Sequence, residues 1–205
     1  RYRRAISVAI NRQDVNKVIF FGLAKESGNT ALPESPLYDP RFTSLWTQHD
    51  PALANRLLDE IGLTKRDDDG IRLLQDGRRL EFTIETAGEN TEETDILDLL
   101  KQDFFDVGIK SYPRSTQRDV FRRRILAGQT VMSAWAGMDN ALVTSDMEPD
   151  ALAPTSSAQF QWPRWGQFVE SNGKEGERPA LPAANKLVRL YEEWRMSSTR
   201  DQRRA

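Results

Sequence analysis

Apolar residues recur at two different intervals along the chain, and the intervals separate helices from strands. In residues 1–22 they recur every three or four positions, which predicts two short helices that end at Gly22. The segment DPALANRLLDEIG (50–62) predicts a further helix. Asp50 can cap its first turn, and Gly62 can adopt the left-handed conformation that ends it.

The middle of the chain alternates between strand and helix patterns. Leu80, Phe82 and Ile84 alternate with polar residues as in a half-buried strand, and two more strands and two helices follow. This order predicts an α/β fold whose sheet is mixed, mainly parallel and covered by helices. The predicted segments are strands at 78–86, 109–112 and 130–137, and helices at 90–108 and 116–128.

Two proline-containing stretches, residues 23–49 and 138–181, follow neither pattern. Both are predicted to be long loops within a single domain that spans residues 1–205, and a last helix is predicted to begin near Pro182. Long loops carry binding sites more often than they carry stability. The loop 138–181 contains QWPRWGQF (161–168), where two tryptophans flank a proline.

Composition argues for binding rather than catalysis. The 29 Lys and Arg residues nearly balance the 31 Asp and Glu residues, so no global charge favours nucleic acid. The chain has no cysteine and a single histidine, His49, which is interpreted as an exposed residue beside the Asp50 cap. We therefore expect no metal site, no cofactor and no enzymatic activity. No apolar run reaches the ~20 residues of a membrane-spanning helix.

Five segments, in order from residue 3 to residue 194, resemble the family 5 extracellular solute-binding proteins. The first resembles that family's Arg-x-Ala-(Leu/Ile)-Ser-x-Ala helix pair, and the second its Asp-Pro-x-x-Ala-x-x-Leu-Leu-x-x-x-Gly helix. The fourth matches a strand that ends in Trp-x-Gly. In this chain the five segments read RRAISVAINRQDVNKVIFFG, DPALANRLLDEIGL, FFDVGIK, Trp135-Ala136-Gly137 and ANKLVRLYEEW.

The resemblance implies a periplasmic substrate-binding component of an ABC importer, which delivers its ligand to permease subunits of the inner membrane. Such proteins have two lobes that close on the ligand. The chain is then the C-terminal lobe of a type II periplasmic-binding-protein-like fold, with the N-terminal lobe and signal peptide missing from this fragment. A monomer that binds neither nucleic acid nor a cofactor is expected.

Two ligand classes stay open. In peptide-binding members an acidic residue shortly after the Trp-x-Gly strand pairs with the peptide's N-terminal ammonium, which suggests Asp139, with Asp146 as the alternative. Trp135, Trp162 and Trp165 instead favour an oligosaccharide, because indole faces suit the apolar faces of sugar rings. Each tryptophan could also lie buried under its own loop, and an interaction module outside transport is a third possibility.

Overall fold

The computed structural model describes residues 1–138 and 141–204. The chain divides into two compact units. Unit 1 comprises Arg1–Asn29, Pro40–Phe121 and Val131–Ala134. Unit 2 comprises Thr30–Asp39, Arg122–Thr130 and Trp135–Ala205.

Unit 1 contains a three-stranded sheet in the order β2-β1-β3. β1 is Glu81–Thr86, β2 is Lys110–Ser115 and β3 is Met132–Ser133, and both pairings are parallel. This confirms the predicted α/β class. The predicted strand 130–137 is shorter than expected, because β3 pairs with β1 at only two positions before the Ala134 amide donates the last hydrogen bond.

One face of this sheet forms the core of unit 1. Leu80 and Ile84 are buried there, and Phe82 packs edge-on against Phe104 with ring centroids 6.1 Å apart. Phe104 lies on α5 (Thr91–Asp106), the helix that connects β1 to β2. Burial of these alternating side chains against the helix stabilises unit 1 through the hydrophobic effect.

Side-chain caps set the starts of several helices in unit 1. Asp50 accepts a hydrogen bond from the Leu53 amide at 2.8 Å, as predicted. Asn90 caps α5 through the Glu92 amide, whereas the Glu93 side chain is bonded to the hydroxyl of Thr86 instead of completing a capping box. The remaining helices of unit 1 are α1 (Tyr2–Ala9), α2 (Arg12–Ile19), α3 (Pro40–Ser44) and α4 (Pro51–Asp59).

The helix α6 (Arg118–Leu126) runs from unit 1 into unit 2. Unit 2 further contains α7 (Pro163–Glu170), α8 (Pro182–Met196) and α9 (Arg200–Arg204). Trp194 of α8 donates its indole N–H to the Ser145 carbonyl at 2.7 Å and so joins this helix to the segment that precedes α7. Within the described residues, no helix combines the length and the apolar character that crossing a membrane requires.

Two helices lie inside the stretches that were predicted to be loops. α3 lies within 23–49 and α7 within 138–181. The pattern missed α7 because eight residues span only about two turns, and because Gly166 at its centre is typical of a loop. In the structure Gly166 instead permits a close contact, since an added Cβ would lie 2.1 Å from the Ser156 carbonyl oxygen.

Candidate functional site

The carboxyl ends of the parallel strands form a candidate binding edge in unit 1. β1 is the central strand, and the chain crosses from β2 back over β1 to reach β3. Open parallel sheets bind ligands outside the carboxyl ends of their strands, at the point where the strand order reverses. We call the segments that follow the three strands here, residues 85–89, 114–118 and 133–134, the carboxyl edge.

An ion pair lies at this carboxyl edge. Arg114 Nη2 is 2.8 Å from Glu85 Oε1, and the two residues face each other in the β1–β2 register. The Glu85 side chain is 3% exposed, whereas the Arg114 side chain is 48% exposed. A carboxylate this deeply buried needs a charged or hydrogen-bonding partner, and Arg114 supplies one while keeping part of its surface in solvent.

The β1 and β2 ends are also held together by hydroxyl and backbone groups. The Thr116 amide donates to the Thr86 carbonyl at 2.9 Å. Gly88 has a positive φ of 65°, and an added Cβ would lie 2.8 Å from the Ser115 Cβ. The Thr116 hydroxyl is buried and finds no hydrogen-bonding partner among the described residues. The edge is therefore closely packed and carries an unsatisfied polar group.

Trp135, predicted to face a ligand, lies in an aromatic cluster of unit 2. Its ring centroid is 5.1 Å from that of Phe160, at an interplanar angle of 49°. The Arg122 guanidinium lies 5.5 Å from the Phe160 centroid. Trp135 is half-buried, so part of its indole surface remains available for contact with a ligand.

The structure places Trp162 and Trp165 on the first turn of α7. Trp162 is the N-cap residue, Pro163 follows it, and both tryptophans are half-buried. The Trp162 indole nitrogen is buried and has no hydrogen-bonding partner within residues 1–138 and 141–204. The two tryptophans are thus positioned by a helix and not by an irregular loop.

The structure describes only one of the two acidic residues that were predicted to bind a ligand ammonium. Asp139 lies outside the described residues. Asp146 is exposed, and its carboxylate lies 3.2 Å from Arg200 and 3.4 Å from Arg203 of α9. A ligand ammonium at Asp146 would therefore compete with two guanidinium groups.

Sequence reasoning did not anticipate a polar cavity of about 400 Å³ in unit 2. Tyr191 of α8 lines it and donates a hydrogen bond to Glu148 at 2.5 Å. Burial, together with the hydrogen bond to Glu148, raises the pKa of Tyr191 to about 12. Nothing in the sequence links Tyr191 to Glu148, which lies 43 residues away.

Acidic groups do not converge on a metal geometry in the part of the chain that the structure describes. No group of three or more His, Cys, Asp or Glu side chains there could hold a metal ion. The chemistry of both units is that of hydrogen bonds, ion pairs and aromatic surface, and these interactions suit reversible binding.

Residues 1–156 match the bacterial extracellular solute-binding proteins, family 5, in the middle region of that family. The chain belongs to this family, which confirms the resemblance, and the matched residues include four of the five segments. A probable ABC transporter-binding protein from Deinococcus radiodurans is 28% identical over 110 residues, which are 54% of this chain and 18% of that protein.

Solved structures share the fold. The oligopeptide-binding protein OppA is 31% identical, with a TM-score of 0.83 over 98% of this chain and 33% of its own. The periplasmic binding protein MelB from Agrobacterium fabrum, in complex with stachyose, is 18% identical, with a TM-score of 0.70 over 98% of this chain and 29% of its own. This chain therefore spans about a third of the length of the structures it matches.

Proposed function

We propose that this chain is the C-terminal lobe of an ABC-importer substrate-binding protein that takes up peptides. The observation that carries the proposal is the 31% identity to an oligopeptide-binding protein, which extends over 98% of this chain. The family is one of solute-binding proteins and not of enzymes. Capture of the peptide would occur in the periplasm, by a monomer that then docks on permease subunits.

The sheet supports binding of an extended ligand. β3 lies at one end of the strand order, next to β1 alone, and Val131 just before it is 86% exposed. A peptide backbone can add to such an edge through main-chain hydrogen bonds, which are independent of the peptide's sequence. Asp139 is the proposed acceptor for the peptide's N-terminal ammonium, and the charge-assisted hydrogen bond would contribute about 1.5–3 kcal/mol.

Calorimetric titration of the intact protein with a set of oligopeptides tests the proposal. We expect peptides to bind and Asp139→Ala to weaken that binding by about tenfold or more. Asp146→Ala is the matched control, because the Asp146 carboxylate is already paired with Arg200 and Arg203. If no peptide binds the unmodified protein, the proposal is wrong.

An oligosaccharide is the second candidate ligand. The half-buried Trp135 beside Phe160 is the observation that favours it, because two adjoining aromatic rings provide a surface for sugar rings. Trp162 and Trp165 would add to this surface. Titration with stachyose tests this candidate. It is supported if the protein binds the sugar but no peptide, and if Trp162→Ala weakens the sugar binding. Retention of no small molecule at all would favour an interaction module instead.

A further inference from the structure

The sheet of unit 1 has a polar face opposite its core face. Residues paired across parallel strands point to the same side, so β1 and β2 together place six polar side chains on this face. At its amino end Glu81 and Tyr112 are exposed, and the Tyr112 hydroxyl lies 3.2 Å from Glu81. At its carboxyl end Glu85 is buried. The six side chains are Glu81, Thr83 and Glu85 of β1 and Lys110, Tyr112 and Arg114 of β2.

Burial of Glu85 fixes the direction of the Arg114 side chain. A guanidinium group has five N–H donors in a rigid plane. One nitrogen of Arg114, Nη2, contacts Glu85 at 2.8 Å. No other acceptor for Arg114 lies among the residues that the structure describes, and the side chain is 48% exposed. Arg114 therefore presents oriented, unused donors at the carboxyl edge.

We propose that Arg114 binds a carboxylate of the peptide ligand and so selects acidic peptides or free C-termini. This inference rests on the proposed function and adds a substrate preference to it. The planar guanidinium matches a carboxylate in two parallel hydrogen bonds, which an ammonium group does not reproduce. Because Glu85 holds the side chain in place before the ligand arrives, little conformational entropy is lost when the ligand binds.

The test compares two pentapeptides, Ala-Ala-Glu-Ala-Ala and Ala-Ala-Gln-Ala-Ala, each with a free and with an amidated C-terminus. Their affinities are measured for the intact protein and for the Arg114→Ala and Arg114→Lys variants. We expect Arg114→Ala to reduce the preference for a carboxylate by about tenfold, the usual effect of one charge-assisted hydrogen bond. If Arg114→Ala loses the preference for Glu over Gln, Arg114 binds the side-chain carboxylate of the peptide. If it loses the preference for a free over an amidated C-terminus, Arg114 binds the C-terminal carboxylate.

Arg114→Lys is the control for misfolding, because it keeps a positive charge beside the buried Glu85 while removing the planar guanidinium group. It should retain the fold and still lose at least threefold of the preference, since its donors cannot match the carboxylate plane. Arg78→Ala is the matched charge control: Arg78 lies before the amino end of β1, pairs with Asp76 at 2.8 Å and should leave both preferences unchanged.

The outcomes separate the two proposals. If the unmodified protein binds these peptides and both Arg114 variants keep its carboxylate preference, or if it has no such preference, Arg114 is not a selectivity residue and the importer function stands. If the unmodified protein binds none of the four peptides and no other oligopeptide, the peptide function fails, and the role of Arg114 fails with it.

Discussion

The phenol of Tyr191 donates a hydrogen bond to Glu148 at 2.5 Å, across 43 residues of sequence. Tyr191 is 9% exposed, and its ring lies 6.3 Å from that of Trp194, nearly parallel to it. Trp194 in turn is bonded to the Ser145 carbonyl. These two side chains of α8 therefore connect the last long helix of unit 2 to the segment around residues 145–148.

Removing the Tyr191 hydroxyl should weaken this connection. We expect Tyr191→Phe to lower the free energy of unfolding by about 1 kcal/mol, the typical contribution of one buried hydrogen bond. Urea denaturation measures the change. Tyr112→Phe is the control, since the Tyr112 hydroxyl is bonded to Glu81 at 3.2 Å on an exposed face and its loss should cost less than about 0.5 kcal/mol. Equal losses in the two variants would contradict this assignment.

Alkaline pH should destabilise the protein through two tyrosines. Burial raises the pKa of Tyr2 to about 12, and burial followed by the bond to Glu148 raises that of Tyr191 to about 12. Their ordinary value is 10.0, so the folded state holds more protons than the unfolded state between these limits. Stability is therefore fully present below pH 10 and is lost as the pH rises toward 12.

Denaturation midpoints at about pH 9 and about pH 11 test this dependence. The difference between the two midpoints should be smaller in Tyr2→Phe and in Tyr191→Phe than in the unmodified protein. A double variant that loses as much stability as the unmodified protein over this interval would rule out both phenols as the cause.

The buried Arg72 should be essential for unit 1. It is 1% exposed and donates to the Val107 carbonyl at 2.9 Å, to Asp59 at 2.6 Å and to the Asn55 side chain at 2.7 Å. Arg72→Ala removes all of these bonds and leaves a void, so the free energy of unfolding should fall by about 3–5 kcal/mol.

Arg78→Ala is the matched control for Arg72→Ala, because the Arg78 side chain is 77% exposed and its ion pair with Asp76 lies in a turn. Its loss should change stability by less than about 1 kcal/mol. Chemical denaturation of both variants measures the difference. Comparable stability of the two variants would show that the Arg72 network contributes little.

Gly166 of α7 should not tolerate a methyl group. Alanine within a helix is usually favoured over glycine by about 1 kcal/mol. Here the added Cβ would lie 2.1 Å from the Ser156 carbonyl oxygen and 2.6 Å from the Ser157 amide nitrogen, both backbone atoms. We expect Gly166→Ala to destabilise the protein by about 1–3 kcal/mol, the usual cost of overpacking.

Gln167→Ala on the same helix is the control for Gly166→Ala, because it changes helix propensity only slightly and introduces no new atoms. Thermal unfolding of the two variants gives the comparison. A higher melting temperature for Gly166→Ala than for the unmodified protein would contradict the close contact between α7 and residues 156–157.

Much of unit 1 could be predicted from the sequence because its signals are local. The predicted cap at Asp50 lies within a few residues of the helix start that it stabilises. The strand–helix alternation predicted the class of fold, and the ordered segments within residues 1–156 predicted the family. The predicted exposure of His49 is confirmed as well.

The candidate sites could be predicted only in part. Trp135 was expected at a ligand surface and lies beside Phe160, but no pattern in the sequence joins these two residues. The alternative acceptor Asp146 is paired with Arg200 and Arg203 of α9, which lie far from it in the sequence. Charged partners far apart in sequence leave no periodic trace, and so these contacts had no signal to find.

The sequence by itself determined most of the helices and strands of unit 1, although not the short helix α3, and which side of each is apolar, because periodicity and capping act over a few residues. Only the tertiary structure decided the order β2-β1-β3 and the register that sets Glu85 against Arg114, 29 residues later. Strand order and register depend on contacts between distant segments, and a slip of one residue would point every side chain of a strand to the opposite face.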